Sequence, residues 1–132
     1  MLILKKESLG RVTEHAIREF PDEACGILSG SQGRVEKVYE MANVEKSPER
    51  FFMDAREQLK VMKEIRNRGE EMIGIYHSHV ASEAYPSSHD LGLAFYPEVS
   101  YVIISVRNKN NPSIRSFKIV EGKIAEEELK IL

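Results

Sequence analysis

The sequence predicts an α+β fold in which a mixed, mostly antiparallel sheet carries helices on its faces. Short apolar or alternating segments of strand length recur along the chain, and two segments between them space their apolar residues as a helix does. The chain has 132 residues, of which 42% are hydrophobic and 30% charged. That balance is typical of a globular protein, and we expect residues 1–132 to form a single domain.

The first half of the chain alternates between strand and helix patterns. Residues 1–4 are apolar and predict an edge strand, and residues 8–20 carry a helical stripe that ends before Pro21. A buried strand over 23–28 and a partner strand over 35–41 flank a glycine-containing turn, so we expect a hairpin there. The apolar stripe of the first helix consists of Leu9, Val12, Ala16, Ile17 and Phe20.

The second half contains another long helix and the central strand. Asp54 predicts the start of that helix, with Glu57 completing a capping box, and Gly69 predicts its end. Residues 72–79 predict the central strand, and residues 87–95 predict a short helix. The apolar stripe of the long helix consists of Leu59, Met62 and Ile65. Later strands are expected at residues 101–106, 114–120 and 123–132. The acidic residues 126–128 are expected to form a solvated strand end.

Composition and charge exclude several classes of protein. The formal net charge is -2 and no basic stripe with interleaved aromatics stands out, so we expect no nucleic-acid partner. The longest apolar runs are far too short to span a membrane, and residues 1–6 lack the features of a signal peptide. The single cysteine, Cys25, excludes an internal disulfide and fits a reducing compartment, so a cytoplasmic location is expected.

The central strand ends in a His-x-His pair. On a strand, side chains alternate between faces, so His77 and His79 project to the same side. Asp90 adds a third, oxygen ligand if the following loop folds back, and zinc with two nitrogens, one carboxylate oxygen and a water is a catalytic arrangement. The alternative is a strand that presents two polar residues to solvent.

Two further polar positions accompany the histidines. Ser87 and Asp90 match an N-cap and capping box for the short helix, and that role is compatible with metal binding because a cap fixes the loop. Glu23 begins an apolar strand, where an acid is unusual without a partner. It is either an exposed strand end or a general base for a water beside the metal.

This set resembles the JAMM motif of the MPN-plus metallopeptidases: a glutamate, then His-x-His, a serine-containing spacer and an aspartate, here Glu23, His77-Ser-His79, Ser87 and Asp90. The resemblance implies an MPN fold, a cytidine-deaminase-like α/β sandwich. It implies that His77, His79 and Asp90 bind one Zn²⁺ per chain. It also implies that Glu23 holds the catalytic water and that Ser87 stabilises the oxyanion.

The surrounding residues resemble a small prokaryotic subgroup of that family. Pro21-Asp-Glu-Ala-Cys-Gly26 and Tyr76-His-Ser-His79 are similar to its segments. The resemblance implies a substrate similar to ubiquitin, a β-grasp sulfur-carrier protein with a Gly-Gly tail, from which some members release cysteine while others cleave isopeptide-linked forms. Val80 departs from the proline common in the family. Only a short segment follows Asp90 before the next strand, so polyubiquitin linkage specificity is not expected.

Other interpretations of the same residues stay open. The chain is alternatively a non-catalytic MPN-type scaffold for protein binding, or a zinc hydrolase of a small-molecule amide. Cys25 is a nucleophile paired with His77, a residue that modulates the site, or a buried and inert thiol. Residues 1–4, as an edge strand, would allow a homodimer.

Two further histidines and a candidate lip of the site remain to be placed. His89 is a spare metal ligand or a solvated residue near the ligands. His15 is expected on the surface of the first helix. Arg50, Phe51 and Phe52 form a lip that grips an extended tail, or they are core residues with one surface charge.

Overall fold

The computed structural model describes all 132 residues, Met1–Leu132, as eight strands and three helices. In chain order the elements are β1 (Leu2–Leu4), α1 (Lys6–Glu19), β2 (Cys25–Ser31), β3 (Arg34–Met41), α2 (Ala55–Asn67), β4 (Glu71–His79), α3 (Ser88–Gly92), β5 (Ser100–Ser105), β6 (Ser113–Val120), β7 (Lys123–Glu127) and β8 (Leu129–Ile131). The α+β class predicted from the sequence is therefore confirmed.

All eight strands join one mixed sheet in the order β7-β6-β5-β4-β2-β3-β1-β8. The pairs β2–β3, β2–β4, β5–β6 and β6–β7 are antiparallel, whereas β4–β5, β1–β3 and β1–β8 are parallel. The predicted hairpin is present, and its turn places Gln32 and Gly33 at φ 51° and 75°. The central strand β4 therefore lies between β2 and β5, supported on both sides.

Helices cover both faces of the sheet, and each face has its own apolar cluster. On the α1 face, alternate strand residues such as Leu28, Tyr76 and Val102 pack with Val12 of the helix. On the α2 face, Ile75 and Ile103 belong to the other cluster, which includes Ile65 of α2 and other core residues. None of the three helices combines the length and apolar character needed to cross a membrane.

The first strand is not at the edge of the sheet, so that prediction is wrong. The segment predicted as one strand, 123–132, divides at Glu128, and its second half, β8, lies parallel to β1 with Leu2 opposite Leu129. Since β7 and β8 are separated by one residue yet lie at opposite ends of the strand order, the sheet curls until its ends meet. An alternating sequence pattern predicts a strand but does not show which strand will pair with it. Because β8 pairs with β1, it covers the edge through which a homodimer was considered.

The acidic strand end is only partly solvated. The Glu127 side chain is 11% exposed, lies 3.4 Å from the amino group of Met1 and accepts a hydrogen bond from the Ser116 hydroxyl at 2.7 Å. Glu126 instead pairs with Arg115 on the surface. Glu127 thus belongs to the seam where the two ends of the curled sheet meet.

The first helix buries Val12 and Ala16 of the predicted stripe but not the whole stripe. Ile17 and Phe20 are 40% and 37% exposed, whereas His15 is only 2% exposed. Its Nδ1 lies 2.7 Å from the hydroxyl of Tyr76 on β4. The prediction of a surface His15 is wrong because a buried tyrosine hydroxyl needs a polar partner, and the helix supplies one.

The second helix begins and ends as predicted, but without the capping box. The Asp54 side chain accepts from the Arg56 N–H, and Gly69 follows the helix at φ 72°. Glu57 accepts instead from the N–H of Ala42, just after β3. The helix turns Val61 and Ile65 to the sheet and leaves Leu59 exposed, so the predicted stripe is correct only in part.

Candidate active site

The central strand positions both histidines of the His-x-His pair on the α2 face of the sheet. Its alternation places Ile75, His77 and His79 on that face, while Tyr76 and Ser78 point toward α1. His77 is 3% and His79 4% exposed. Because β4 is paired on both sides, the backbone that carries the two imidazoles is fixed by two ladders of hydrogen bonds.

The short helix α3 brings Asp90 to the histidines. The predicted capping box is present: the Ser87 N–H donates to Asp90 Oδ2 at 2.8 Å, and the Asp90 N–H donates to Ser87 Oγ at 3.1 Å. Asp90 Oδ2 lies 3.1 Å from Nε2 of His77 and 3.1 Å from Nε2 of His79. The two Nε2 atoms are themselves 3.1 Å apart.

These three atoms form a nearly equilateral triangle that suits one metal ion. Ligand atoms about 2.0–2.1 Å from a tetrahedral zinc are separated by roughly 3.3 Å, close to the spacing seen here. His79 Nδ1 faces the Glu83 carbonyl at 2.8 Å, and since a carbonyl only accepts, that nitrogen carries the proton and Nε2 presents its lone pair. The cluster of His77, His79 and Asp90 can therefore hold a metal ion.

The electrostatics of His77 and Asp90 agree with that use, whereas burial lowers the pKa of His79 by less than Asp90, the Glu83 carbonyl and Glu23 raise it. Burial lowers the pKa of His77 by more than Asp90 raises it, so this imidazole stays neutral. Burial alone would raise the pKa of Asp90, but the two imidazoles beside it and the hydrogen bond from the Ser87 N–H hold that pKa well below its usual range. Asp90 is therefore ionised near neutral pH, which gives a donor set suited to a divalent cation.

Glu23 lies just before β2 and is 3% exposed. Burial raises its pKa to about 8, and the charges of His79 and Asp90 act on it in opposite directions, so it is near the cluster. Its Oε1 is buried without a hydrogen-bond partner. A buried acid with a free oxygen beside these metal-ligating side chains can, in its ionised form, accept a proton from a water in the site.

Backbone contacts hold Glu23 in this place. Its N–H donates to the Ser47 carbonyl at 2.9 Å, and its carbonyl accepts from the side-chain amide of Asn43 at 3.0 Å. The same amide nitrogen donates to the Arg50 carbonyl, and Asn43 Oδ1 accepts from the Phe52 N–H. One asparagine therefore fixes both the acid and the lip.

Ser87 lies at the mouth of the site and is exposed. Its Oγ accepts from the Asp90 N–H, which uses a lone pair and leaves the hydroxyl hydrogen free to donate. The two interpretations of this serine, as a helix cap and as a donor toward an oxyanion, are therefore compatible.

The predicted lip, Arg50 to Phe52, consists of one core residue and two exposed residues. Phe51 is 7% exposed and stacks on the His77 ring with centroids 4.5 Å apart and planes 22° apart, so it is a core residue that also orients a ligand. Phe52 is 48% exposed. Arg50 is exposed as well.

Cys25 and His89 stay outside the cluster of metal-ligating atoms. Cys25 is fully buried opposite His77 in the strand ladder, and burial raises the pKa of its thiol to about 12. A thiol of that pKa is not a thiolate nucleophile near neutral pH. His89 is half-buried, and its buried Nε2 has no hydrogen-bond partner.

Three supporting residues have no signal in the sequence pattern. Asn43 and Ser82 lie in loops where polar residues are ordinary, and Ser78 is the unspecified middle residue of His-x-His. Ser82 Oγ lies 3.1 Å from His79 Nδ1, and its carbonyl accepts from the Ser105 hydroxyl. Only the folded arrangement shows that these side chains support the histidines and Glu23.

The fold and the cluster together define an α+β protein with a buried cluster of three side chains, able to hold a metal ion, at the end of its central strand. Residues 5–120 match the family described as prokaryotic homologues of the JAB domain. The chain belongs to this family.

Curated relatives agree with that assignment. The chain is 40% identical over 134 residues to the CysO-cysteine peptidase of Mycobacterium tuberculosis, covering 100% of the chain and 92% of the relative. It is 39% identical over 108 residues to the desampylase of Pyrococcus furiosus, covering 80% of the chain and 76% of the relative. The prediction that the chain is a hydrolase of the JAMM type is confirmed.

Solved structures show the same fold. A protein of Desulfitobacterium hafniense superposes with a TM-score of 0.91 at 41% identity, covering 100% of this chain and 93% of the other. A JAB1/MPN domain protein from Archaeoglobus fulgidus superposes with a TM-score of 0.69 at 21% identity, covering 99% and 97%. The predicted MPN fold is confirmed.

Proposed function

We propose that this chain is a zinc-dependent peptidase that hydrolyses the amide or isopeptide bond after the Gly-Gly-type C-terminal tail of a ubiquitin-like sulfur-carrier protein. The observation that carries the proposal is the triangle of His77, His79 and Asp90, with mutual distances of 3.1 Å. Relatives named CysO-cysteine peptidase and desampylase support a conjugate of a small carrier protein as the substrate.

Three side chains would hold the metal in this proposal. His77 and His79 provide Nε2 lone pairs, and Asp90 provides a carboxylate oxygen. When bound, Zn²⁺ supplies a Lewis acid for the scissile carbonyl and lowers the pKa of water in the site. The stacked ring of Phe51 and the hydrogen bond from His79 Nδ1 to Glu83 restrict the imidazole planes, so the lone pairs stay directed inward.

Two other residues act on the proton and on the negative charge that develops during the reaction. Glu23 takes a proton from the attacking water and delivers it to the leaving amine. Its Oε1 has no hydrogen-bond partner in the protein, so it is free to bind that water. The Ser87 hydroxyl donates toward the oxygen of the scissile carbonyl as negative charge develops there.

The test is hydrolysis of carrier–cysteine and carrier–lysine conjugates by the purified, zinc-loaded chain. We expect Glu23→Gln to lower kcat by at least about 100-fold, the usual contribution of a general base, while zinc content is unchanged. Glu49→Gln, an exposed glutamate whose charge reaches Glu23, is the matched control and should retain the rate. Full activity of Glu23→Gln with zinc bound would contradict the mechanism.

A further inference from the structure

An apolar pocket of about 130 Å³ opens directly beside the candidate metal ligands. His77 and Asp90 form one wall, and the sheet contributes Ile75, Ile103 and Ile119. Ten of its 14 lining residues are hydrophobic. This apolar pocket shares walls with the site but is not needed to hold the metal or the attacking water.

The pocket is open to a side chain that arrives from solvent. Phe52 and Phe95 line it and are 48% and 68% exposed, so it reaches the surface between the lip and the segment after α3. A cavity of about 150 Å³ lined by aliphatic and aromatic groups is large enough for benzene. A pocket of about 130 Å³ is therefore large enough for a cysteine, leucine or methionine side chain.

The walls favour an uncharged occupant. The lining contains no lysine, arginine or glutamate, and its one carboxylate, Asp90, is already engaged by both histidines. The other polar groups bond to one another: Gln58 Nε2 donates to the Tyr96 hydroxyl at 3.4 Å, and the Tyr101 hydroxyl donates to the Tyr96 carbonyl. A charged side chain in this pocket would lose water without gaining a partner.

We infer that the apolar pocket binds the side chain of the residue released as the amine, on the far side of the scissile bond from the carrier. This inference rests on the proposed function. A Gly-Gly tail has no side chain to fill a pocket, so a side-chain pocket in contact with the metal ligands serves the other half of the substrate. The enzyme then selects conjugates whose released residue has an uncharged apolar or thiol side chain.

The kinetic test uses a β-grasp carrier that ends in Gly-Gly and is extended by glycine, cysteine, leucine or aspartate. We expect kcat/KM for the cysteine and leucine forms to exceed that for the glycine and aspartate forms by at least about tenfold. Leu93→Trp, which narrows the pocket, should abolish the preference for leucine over glycine. Leu59→Trp, on the exposed face of α2 and outside the pocket, is the matched control and should keep it.

A binding measurement gives a second readout that does not depend on turnover. We expect 1-propanethiol to shift the methyl NMR resonances of Ile75, Ile103 and Ile119, and to leave Val12 on the opposite face unchanged. Equal kcat/KM for all four extensions, or no shift of the three isoleucines, would overturn the inference while leaving the proposed function standing. Failure to hydrolyse any extended carrier would overturn the proposed function and the inference with it.

Discussion

Ser78 and Ala24 are joined by two hydrogen bonds: the Ala24 N–H donates to Ser78 Oγ at 2.8 Å, and the Ser78 N–H donates to the Ala24 carbonyl at 3.0 Å. The first residue stands between the two histidines, and the second directly follows Glu23. This contact therefore sets the position of the acid relative to the metal ligands, although neither side chain belongs to the cluster.

Ser78→Ala should reduce both stability and rate. It leaves the Ala24 N–H buried and unpaired, which costs about 1–3 kcal/mol, measurable by urea unfolding. It also frees the segment before β2, so we expect kcat to fall about tenfold or more, with zinc content retained. Ser116→Ala is the control: it removes another buried serine hydroxyl bond, to Glu127, far along the sheet. If both variants kept full kcat, Ser78 would have no positioning role.

Glu23→Gln should stabilise the metal-free protein in a pH-dependent way. The folded-state pKa of about 8 lies above the ordinary 4.5, so the folded state binds more protons than the unfolded state between these values. The wild type therefore loses stability as pH rises from about 4.5 to about 8. The gain from Glu23→Gln should be absent near pH 4 and greatest above pH 8, as measured by chemical denaturation across pH. A gain independent of pH would contradict this.

Metal addition should raise the melting temperature of the wild type but not that of Asp90→Asn. A ligand that binds only the folded state stabilises it by about 2.7 kcal/mol at 100 times its Kd. Asparagine retains an oxygen that can accept from the Ser87 N–H, so the cap of α3 survives while the carboxylate is lost. Calorimetry with zinc and with a chelator, beside metal analysis, separates the two outcomes. An equal zinc-induced shift in both proteins would exclude Asp90 as a ligand.

Gly26→Ala should lower the free energy of unfolding by about 1–3 kcal/mol or more, because the added methyl group overpacks the core. A Cβ at this position would lie 2.1 Å from the Tyr76 ring and 2.5 Å from the Tyr39 carbonyl oxygen. Gly10→Ala is the matched control, since nothing lies within 4 Å of its added carbon in the exposed part of α1. We expect that variant to gain about 0.5–1 kcal/mol from helix propensity. Thermal unfolding of both variants checks the prediction.

Two parts of the candidate metal site were predictable from local rules, whereas the meeting of Asp90 with the two histidines was implied only by the resemblance to the JAMM motif. Strand alternation places His77 and His79 together, and a capping box places Asp90 at the start of a helix. Both are properties of a few neighbouring residues. That these three bind zinc, and that Glu23 and Ser87 act in catalysis, stays a prediction until it is measured, as does the expectation that residues 1–132 form a single domain.

What the sequence could not show depends on partners distant in the chain. His15 is buried because Tyr76, 61 positions away, needs a partner for its hydroxyl. Glu57 does not form the predicted capping box, because its carboxylate accepts a hydrogen bond from the Ala42 N–H, which lies nearby in the fold. The position of β1 depends on β8, at the other end of the chain. Periodicity reports which side of an element is apolar, but it does not identify the group that will face each polar atom.

Odd-numbered and even-numbered residues of strand β4 face opposite sides of the sheet and have different roles. Odd positions 75, 77 and 79 face the candidate metal site and the apolar pocket, and even positions 76 and 78 anchor the strand to α1 and to the segment beside Glu23. Substitutions that accumulate on α1 are thus insulated from the chemistry by the thickness of one sheet. In such an architecture, substrate preference can diversify on one side while the supporting helix drifts independently on the other.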